Sequence, residues 1–281
     1  YLPILFLAGA AILVSAIDRL SAKEQIARLA VPAGGSLPAT TVAATALLLV
    51  VALLYRVYNL GFLSLAIDEI YTGLTAKQLL TTGWFTMPDG TVYTRGVPDI
   101  TFAALLMHLG VDPEFSTRAF AALSGIGTVA IAGRIVYRLQ GKAASMGALI
   151  LFGLFPWALE FSRWGRFYSS TTLFIFLAVY ATLEILYARR TRALLLLAAA
   201  IAGGILSSRY GYFAAVVPVI AAVTFLPRLM RDALRSRSVR VVGAIAALSL
   251  LSLVGTAYVG LRFTQLGQML MHSIQFDSLF I

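Results

Sequence analysis

The chain reads as an all-α polytopic membrane protein, and three observations lead there. Of its 281 residues 60% are hydrophobic and only 12% charged, with a mean hydropathy of +0.88, whereas a soluble domain carries about a quarter charged residues. Apolar runs long enough to cross about 30 Å of hydrocarbon recur along it. The Lys and Arg residues gather in alternate intervals between those runs, as expected of a multi-pass protein whose cytoplasmic loops are basic.

The runs fall at 2–17, 40–61, 115–137, 143–160, 168–188, 193–208, 211–227 and 240–261, which predicts about eight transmembrane helices. The first, with the charged interval up to residue 38, forms an additional N-terminal unit (1–38). Residues 39–262 form the main transmembrane module, and 263–281 a tail on the outer face. Ser21-Ala22-Lys23-Glu24 has capping-box spacing. Residues 1–17 lack a basic n-region and a small-residue cleavage site, so they read as a span and not a signal peptide.

Arg19, Lys23 and Arg28, then Arg134, Arg138 and Lys142, then Arg189, Arg190 and Arg192, then Arg228, Arg231, Arg235, Arg237 and Arg240 share one side if the spans alternate. That side is the cytoplasm. The net charge of +10 then reports loop orientation and not nucleic-acid binding. Cysteine is absent, which excludes disulfides, thiol nucleophiles and Cys-ligated metals. The two histidines, His108 and His272, have no partner at metal-ligand spacing, so no His-based metal site is expected.

The interval 62–114 is too long for a simple reversal and too apolar for a disordered tether. It faces outward, with short helices expected at the membrane surface from Asp68 to Leu80 and from Pro98 to Leu109. Asp89-Gly90 marks a turn between them, and Trp84, Phe85 and Tyr93 suit interfacial anchors, with substrate contact as the competing reading. Asp68-Glu69 is the pair of interest: two acids where the chain leaves the hydrocarbon, at a depth where desolvation raises a carboxylate pKa. The plain structural alternative is that Asp68 caps a helix and Glu69 faces water.

Four arginines reach the same outer face. Arg163 and Arg166, in Arg163-Trp164-Gly165-Arg166-Phe167-Tyr168, share a side if that stretch is helical, and guanidinium forks match phosphate oxygens. Snorkelling, or an Arg163 pair with Glu160, is the competing reading. Arg95 and Arg209 arrive from other loops, and each taken alone reads as a surface charge before a ligand. Arg118 and Arg56 sit near outer ends of spans, where snorkelling is the default. Gly125-Ile126-Gly127 and Gly203-Gly204 suit close helix packing.

The order of these features resembles a known family. A basic inner loop leads to a span, then Asp68-Glu69, Gly83-Trp84-Phe85, a Tyr-x-Arg-x-x-Pro turn from Tyr93 to Pro98, the run from Leu109-Gly110-Val111-Asp112-Pro113-Glu114 to Gly125, and the Arg-x-x-Arg-x-Tyr loop of Arg163 to Tyr168. Over roughly 45–190 this is similar to the GT-C membrane glycosyltransferases related to dolichyl-phosphate-mannose protein mannosyltransferases and the lipid A aminoarabinose transferase, most of all their bacterial relatives. The resemblance implies a GT-C-like bundle with juxtamembrane helices in its first outer loop, in a bacterial inner membrane with the active face outward. It implies inverting transfer of a sugar from a polyprenyl-phosphate donor, with no resident cofactor and the metal requirement open.

Carried over residue by residue, the catalytic base falls on Asp68, with Glu69 orienting the acceptor or holding a loop arginine. The cations on the leaving phosphate fall on Arg163 and Arg166, then Arg95 and Arg209. The family often has a basic residue followed by Pro-Pro where this chain has Arg95-Gly96-Val97-Pro98-Asp99. It also usually has more spans and often a soluble C-terminal domain, so a fragment or a reduced homologue is expected. A reduced homologue would act as a catalytically silent GT-C-like subunit among membrane-protein partners.

Overall fold

The computed structural model describes residues 39–188 and 192–221, and those residues are helical throughout apart from short connections. The expected span 2–17, the capping box at 21–24, the span 240–261, the last part of 211–227 (222–227) and the tail 263–281 lie outside them. Among the described residues three helices are long and apolar enough to cross a membrane: α1 (Ala39–Val57), α4 (Pro113–Gln140) and α7 (Tyr168–Ala188, qualifying over Tyr168–Leu186). The pair α5 (Lys142–Leu154) and α6 (Pro156–Arg163), bent by 52° at its junction, makes a fourth if the two helices together form one broken span. The structure thus supports up to four of the eight expected spans. The expected span 193–208 appears as α8 (Arg192–Ser207), whose 16 residues rise only about 24 Å. A 3-10 turn at Arg209–Tyr212 then leads into a shorter apolar helix, the whole stretch running Arg209–Ala221.

Two short helices, α2 (Ile67–Thr82) and α3 (Val97–His108), lie between α1 and α4, in the interval expected to hold surface helices. Each has local reasons to start and stop. Gly83 ends α2, its N–H on the Leu79 carbonyl at 3.1 Å. The turn at Asp89-Gly90 closes a small hairpin, with Thr86 bridged to Val92 and the Met87 N–H on the Thr91 carbonyl at 2.8 Å. Pro98 sits in the first turn of α3, where its missing N–H costs nothing. Asp112 caps α4, its carboxylate accepting the Phe115 N–H at 3.0 Å, with Pro113 following at the first helical position.

α4 is the central post, packed against α1, α2, α3, α5, α6 and α7. It buries a stripe of small residues, among them Ala121, Ala122, Ser124, Gly125, Ala132 and Gly133, because apolar helices in lipid associate through close van der Waals approach and not through exclusion of water. At Gly125 a Cβ would stand 2.5 Å from the Ser162 Cβ and 2.9 Å from the Arg56 Nε. α7 and α8 close on the same logic through Ala178, Ala181, Ala193, Leu197 and Ala200. At the far end from the site, Arg138 of α4 and Glu184 of α7 form an ion pair at 2.7 Å.

Arg56 does not snorkel as expected. It is 1% exposed and turns inward, donating to the carbonyls of Ala52 at 2.9 Å, Gly153 at 2.9 Å and Phe152 at 3.2 Å. The reason is the break between α5 and α6. Pro156 has no N–H to offer the carbonyl four residues back, at Phe152, and in hydrocarbon an unsatisfied carbonyl costs several kcal/mol. Arg56 supplies the missing donor.

Candidate active site

The loop between α1 and α2, the start of α2, the hairpin, the start of α4 and the α6–α7 junction meet at one end of the bundle. Arg118, in the second turn of α4, organises them. All five of its N–H donors are used: Nε on Glu69 Oε1 (2.8 Å), Nη2 on Glu69 Oε2 (2.7 Å) and the Ser64 carbonyl (3.1 Å), Nη1 on the carbonyls of Leu60 (2.9 Å) and Leu63 (2.7 Å). A guanidinium offers five donors in a planar fork; here two meet the Glu69 carboxylate and three meet carbonyls of the loop before α2 that would otherwise be buried bare. The expectation that Arg118 snorkels is therefore corrected.

Glu69 is equally committed. Besides the Arg118 fork, Oε1 accepts the Gly165 N–H at 2.6 Å and Oε2 the Ala66 N–H at 2.9 Å. Burial pushes its carboxyl up, but the Arg118 fork and the Gly165 and Ala66 amides outweigh that and hold it below the usual glutamate range. Its charge is fixed and its oxygens are occupied, so it serves as a clamp on the first loop and not as a proton acceptor. Gly165 is required there: a Cβ would stand 2.7 Å from Thr117 Cγ2 and 2.9 Å from the Thr117 carbonyl oxygen.

Asp68 faces the other way, with its side chain 62% exposed. The alternative in which Asp68 caps and Glu69 meets water is reversed, since Glu69 binds the Ala66 amide at the helix start. Behind Asp68 lies Arg166, 7% exposed. Its Nη1 donates to the Asp68 main-chain carbonyl at 2.8 Å and to the Tyr93 hydroxyl at 3.3 Å, and its Nη2 stands 3.8 Å from Asp68 Oδ2. The guanidinium carbon lies over the Phe167 ring at 5.0 Å and the Tyr168 ring at 5.8 Å. Tyr93 stacks on Tyr71 with centroids 5.8 Å apart and planes at 22°. Burial pushes the Tyr93 phenol up against the pull of Arg166 and Arg95, so it stays a neutral hydroxyl. Tyr93 is thus tied into the site, and of the three expected interfacial aromatics it is Trp84 that is strongly exposed, at 73%.

Arg163 and Arg166 do not share a face. α6 stops at Arg163, and Arg163 caps the end of α1 instead, donating to the carbonyls of Tyr55 (3.0 Å) and Tyr58 (2.9 Å). Glu160 is not its partner; it accepts the Trp164 indole N–H at 3.0 Å. Arg95 and Arg209 are exposed, and their loops are joined where the Gly96 N–H meets the Ser207 carbonyl at 2.8 Å. Gly96 sits at φ 79°, a left-handed geometry that a side chain would strain.

One residue here gave no functional signal in the sequence. Asp99, 1% exposed, accepts the Ser170 hydroxyl on Oδ2 at 2.7 Å, and among the described residues its Oδ1 has no partner. Burial pushes its carboxyl from 3.8 up to about 7. An acid whose folded pKa is raised binds its proton more tightly when folded, so its stabilising contribution is complete below about pH 4 and is lost as pH rises through about 7. Asp99→Asn, isosteric and neutral, is expected to flatten that part of the stability profile and to raise the thermal midpoint above wild type at pH 8. Unfolding monitored by tryptophan fluorescence between pH 5 and 8 checks it.

The sequence model of the family described as dolichyl-phosphate-mannose-protein mannosyltransferase matches residues 101–255. That stretch includes Arg118, Arg163, Arg166 and Arg209 and begins after Asp68, Glu69 and Arg95. No curated protein and no solved structure matches the chain. The match covers more than half of the chain, and its described part lies in a bundle of apolar helices whose polar groups converge at one end: the chain belongs to the dolichyl-phosphate-mannose-protein mannosyltransferase family, within the GT-C glycosyltransferases.

Proposed function

We propose that this protein is an inverting glycosyltransferase that moves a sugar from a polyprenyl-phosphate carrier to an acceptor hydroxyl, on the outward face of a bacterial inner membrane. The observation that carries the reading is the division of labour in the acid pair. Glu69 is buried and fully bonded, while Asp68 presents an open carboxylate backed by Arg166. A hydroxyl is a poor nucleophile until a positioned base takes its proton. Asp68 accepts that proton as the acceptor oxygen attacks the anomeric carbon. The carbon–oxygen bond to phosphate breaks from the opposite side, and the polyprenyl phosphate leaves with the electron pair.

The departing phosphate needs cations and no general acid. Arg95 and Arg209 fit that role best of the four arginines, because they are exposed and, among the described residues, carry no hydrogen bond or ion pair. Arg166 orients Asp68, and Arg163 holds the end of α1. The reaction calls on no resident cofactor. The excess of Lys and Arg at the opposite ends of the spans supports the outward orientation.

The test is turnover of a panel of polyprenyl-phosphate sugars by the full chain in lipid nanodiscs, read as released polyprenyl phosphate. Arg95→Ala and Arg209→Ala are each expected to raise the KM for the donor by about ten-fold, the size of one charge-assisted hydrogen bond, and the pair together more. Unchanged donor KM in the double variant removes both from the phosphate site. A second reading, a catalytically silent subunit held by membrane-protein partners, draws support from Arg163 and Arg166 bonding mainly to backbone carbonyls. Absence of turnover with every donor, together with co-purification of a partner protein, would select it.

A further inference from the structure

Tyr71 is the feature of this end of the bundle that no role above uses. It lies three residues after Asp68 on α2, so the two side chains project from neighbouring positions on one helix face, and both are exposed while Glu69, Thr72, Thr75 and Ala76 of the same helix are buried. One face of its ring is covered by Tyr93 at 5.8 Å, and the residue remains 41% exposed.

The support under it is rigid. Tyr93 is fixed at its hydroxyl by Arg166 and at its backbone by the Phe85 carbonyl, 2.9 Å from its N–H. It also packs beside the cluster of Ala76, Ile100, Ala103 and Ala104. The hairpin that carries it is seated on α2 where Thr75 Oγ1 lies 3.2 Å from Met87 Sδ. An interfacial anchor needs none of this: it floats its hydroxyl at the headgroups. A ring backed by a second ring, with an open carboxylate beside it, has a different use.

We propose that Tyr71, braced by Tyr93, is a stacking platform for the pyranose ring of a sugar whose hydroxyls reach Asp68. The axial C–H groups of a pyranose carry partial positive charge and settle on the negative face of an aromatic ring, while a neighbouring carboxylate accepts from the hydroxyls at the ring edge. Because the platform is already ordered, binding loses little side-chain freedom. The inference rests on the glycosyltransferase reading for the origin of the sugar, which is either the donor's own ring or a sugar acceptor.

The experiment is saturation-transfer NMR on the full chain in nanodiscs with methyl hexopyranosides and methyl pentopyranosides, which needs no turnover. Ring C–H signals are expected with wild type and with Tyr71→Phe, and a loss of roughly three- to ten-fold in affinity with Tyr71→Ala at an unchanged thermal midpoint. Displacement by a short-chain polyprenyl-phosphate sugar places the donor's ring on the platform; persistence of the signal places the acceptor's there. No glycoside signal in wild type, or equal signals in wild type and Tyr71→Ala, overturns the platform. Turnover without the signal rejects the platform alone, and the signal without turnover rejects the transfer reaction alone.

Discussion

Asp68→Asn is expected to lower sugar transfer by about 10²- to 10⁴-fold, the contribution of a positioned general base, with folding and membrane insertion intact. The structure gives the reason for the second half. The Asp68 side chain is 62% exposed and meets Arg166 only at 3.8 Å, whereas the stronger contact from Arg166 goes to the Asp68 main-chain carbonyl at 2.8 Å, which asparagine keeps. The amide retains the volume and loses the proton acceptor. Rates of polyprenyl phosphate release, measured beside a thermal unfolding curve, decide the matter. A variant that transfers as fast as wild type takes Asp68 out of the reaction, and one that fails to fold would show Arg166 depending on the carboxylate more than its distance implies.

Arg118→Met is expected to have the opposite profile, a loss of fold. It leaves Glu69 charged, 3% exposed and without its cation, and strips donors from the carbonyls of Leu60, Leu63 and Ser64. Removing one partner of a buried pair costs about 3–5 kcal/mol, a large share of a total of roughly 5–15 kcal/mol. Glu69→Gln alone retains volume and some bonding and is expected to cost less. The double variant Glu69→Gln, Arg118→Met should be more stable than Arg118→Met, since no buried charge remains uncompensated. Thermal midpoints of the three variants test this, and additive losses would contradict the clamp. The pH dependence has a fixed sign. Because the Glu69 carboxyl is held below its usual 4.5, the clamp's contribution is present above that pH and is lost as pH falls below it.

The two acids show where reading the sequence succeeds and where it stops. That Asp68-Glu69 opens a short helix after α1 follows from hydropathy and local signals. Asp89-Gly90 and Pro98 likewise mark the hairpin turn and the start of α3 where the structure has them. Which acid is buried does not follow, because consecutive residues on a helix point about 100° apart and nothing local prefers one. The choice is made by Arg118, 49 residues onward, and by the Gly165 amide, 96 residues away from Glu69. Arg163 and Arg166 fail as a pair for a related reason. Helical spacing would align them, but the Gly165 amide is drawn to Glu69 and its backbone lies against Thr117, so the helix ends first.

By itself the amino-acid order determined the greasy helical architecture, the clustering of positive charge between apolar runs, the short helices between α1 and α4 and the kinship with the mannosyltransferase family. Each of those depends on a residue and its near neighbours, through transfer free energy and turn chemistry. Tertiary contact alone decided that Glu69 is held and Asp68 open, that Arg56 and Arg118 turn inward, and that Tyr71 rests on Tyr93. Buried polar groups must find partners wherever the chain supplies them, and those partners lie tens of residues away, brought near only when the bundle closes.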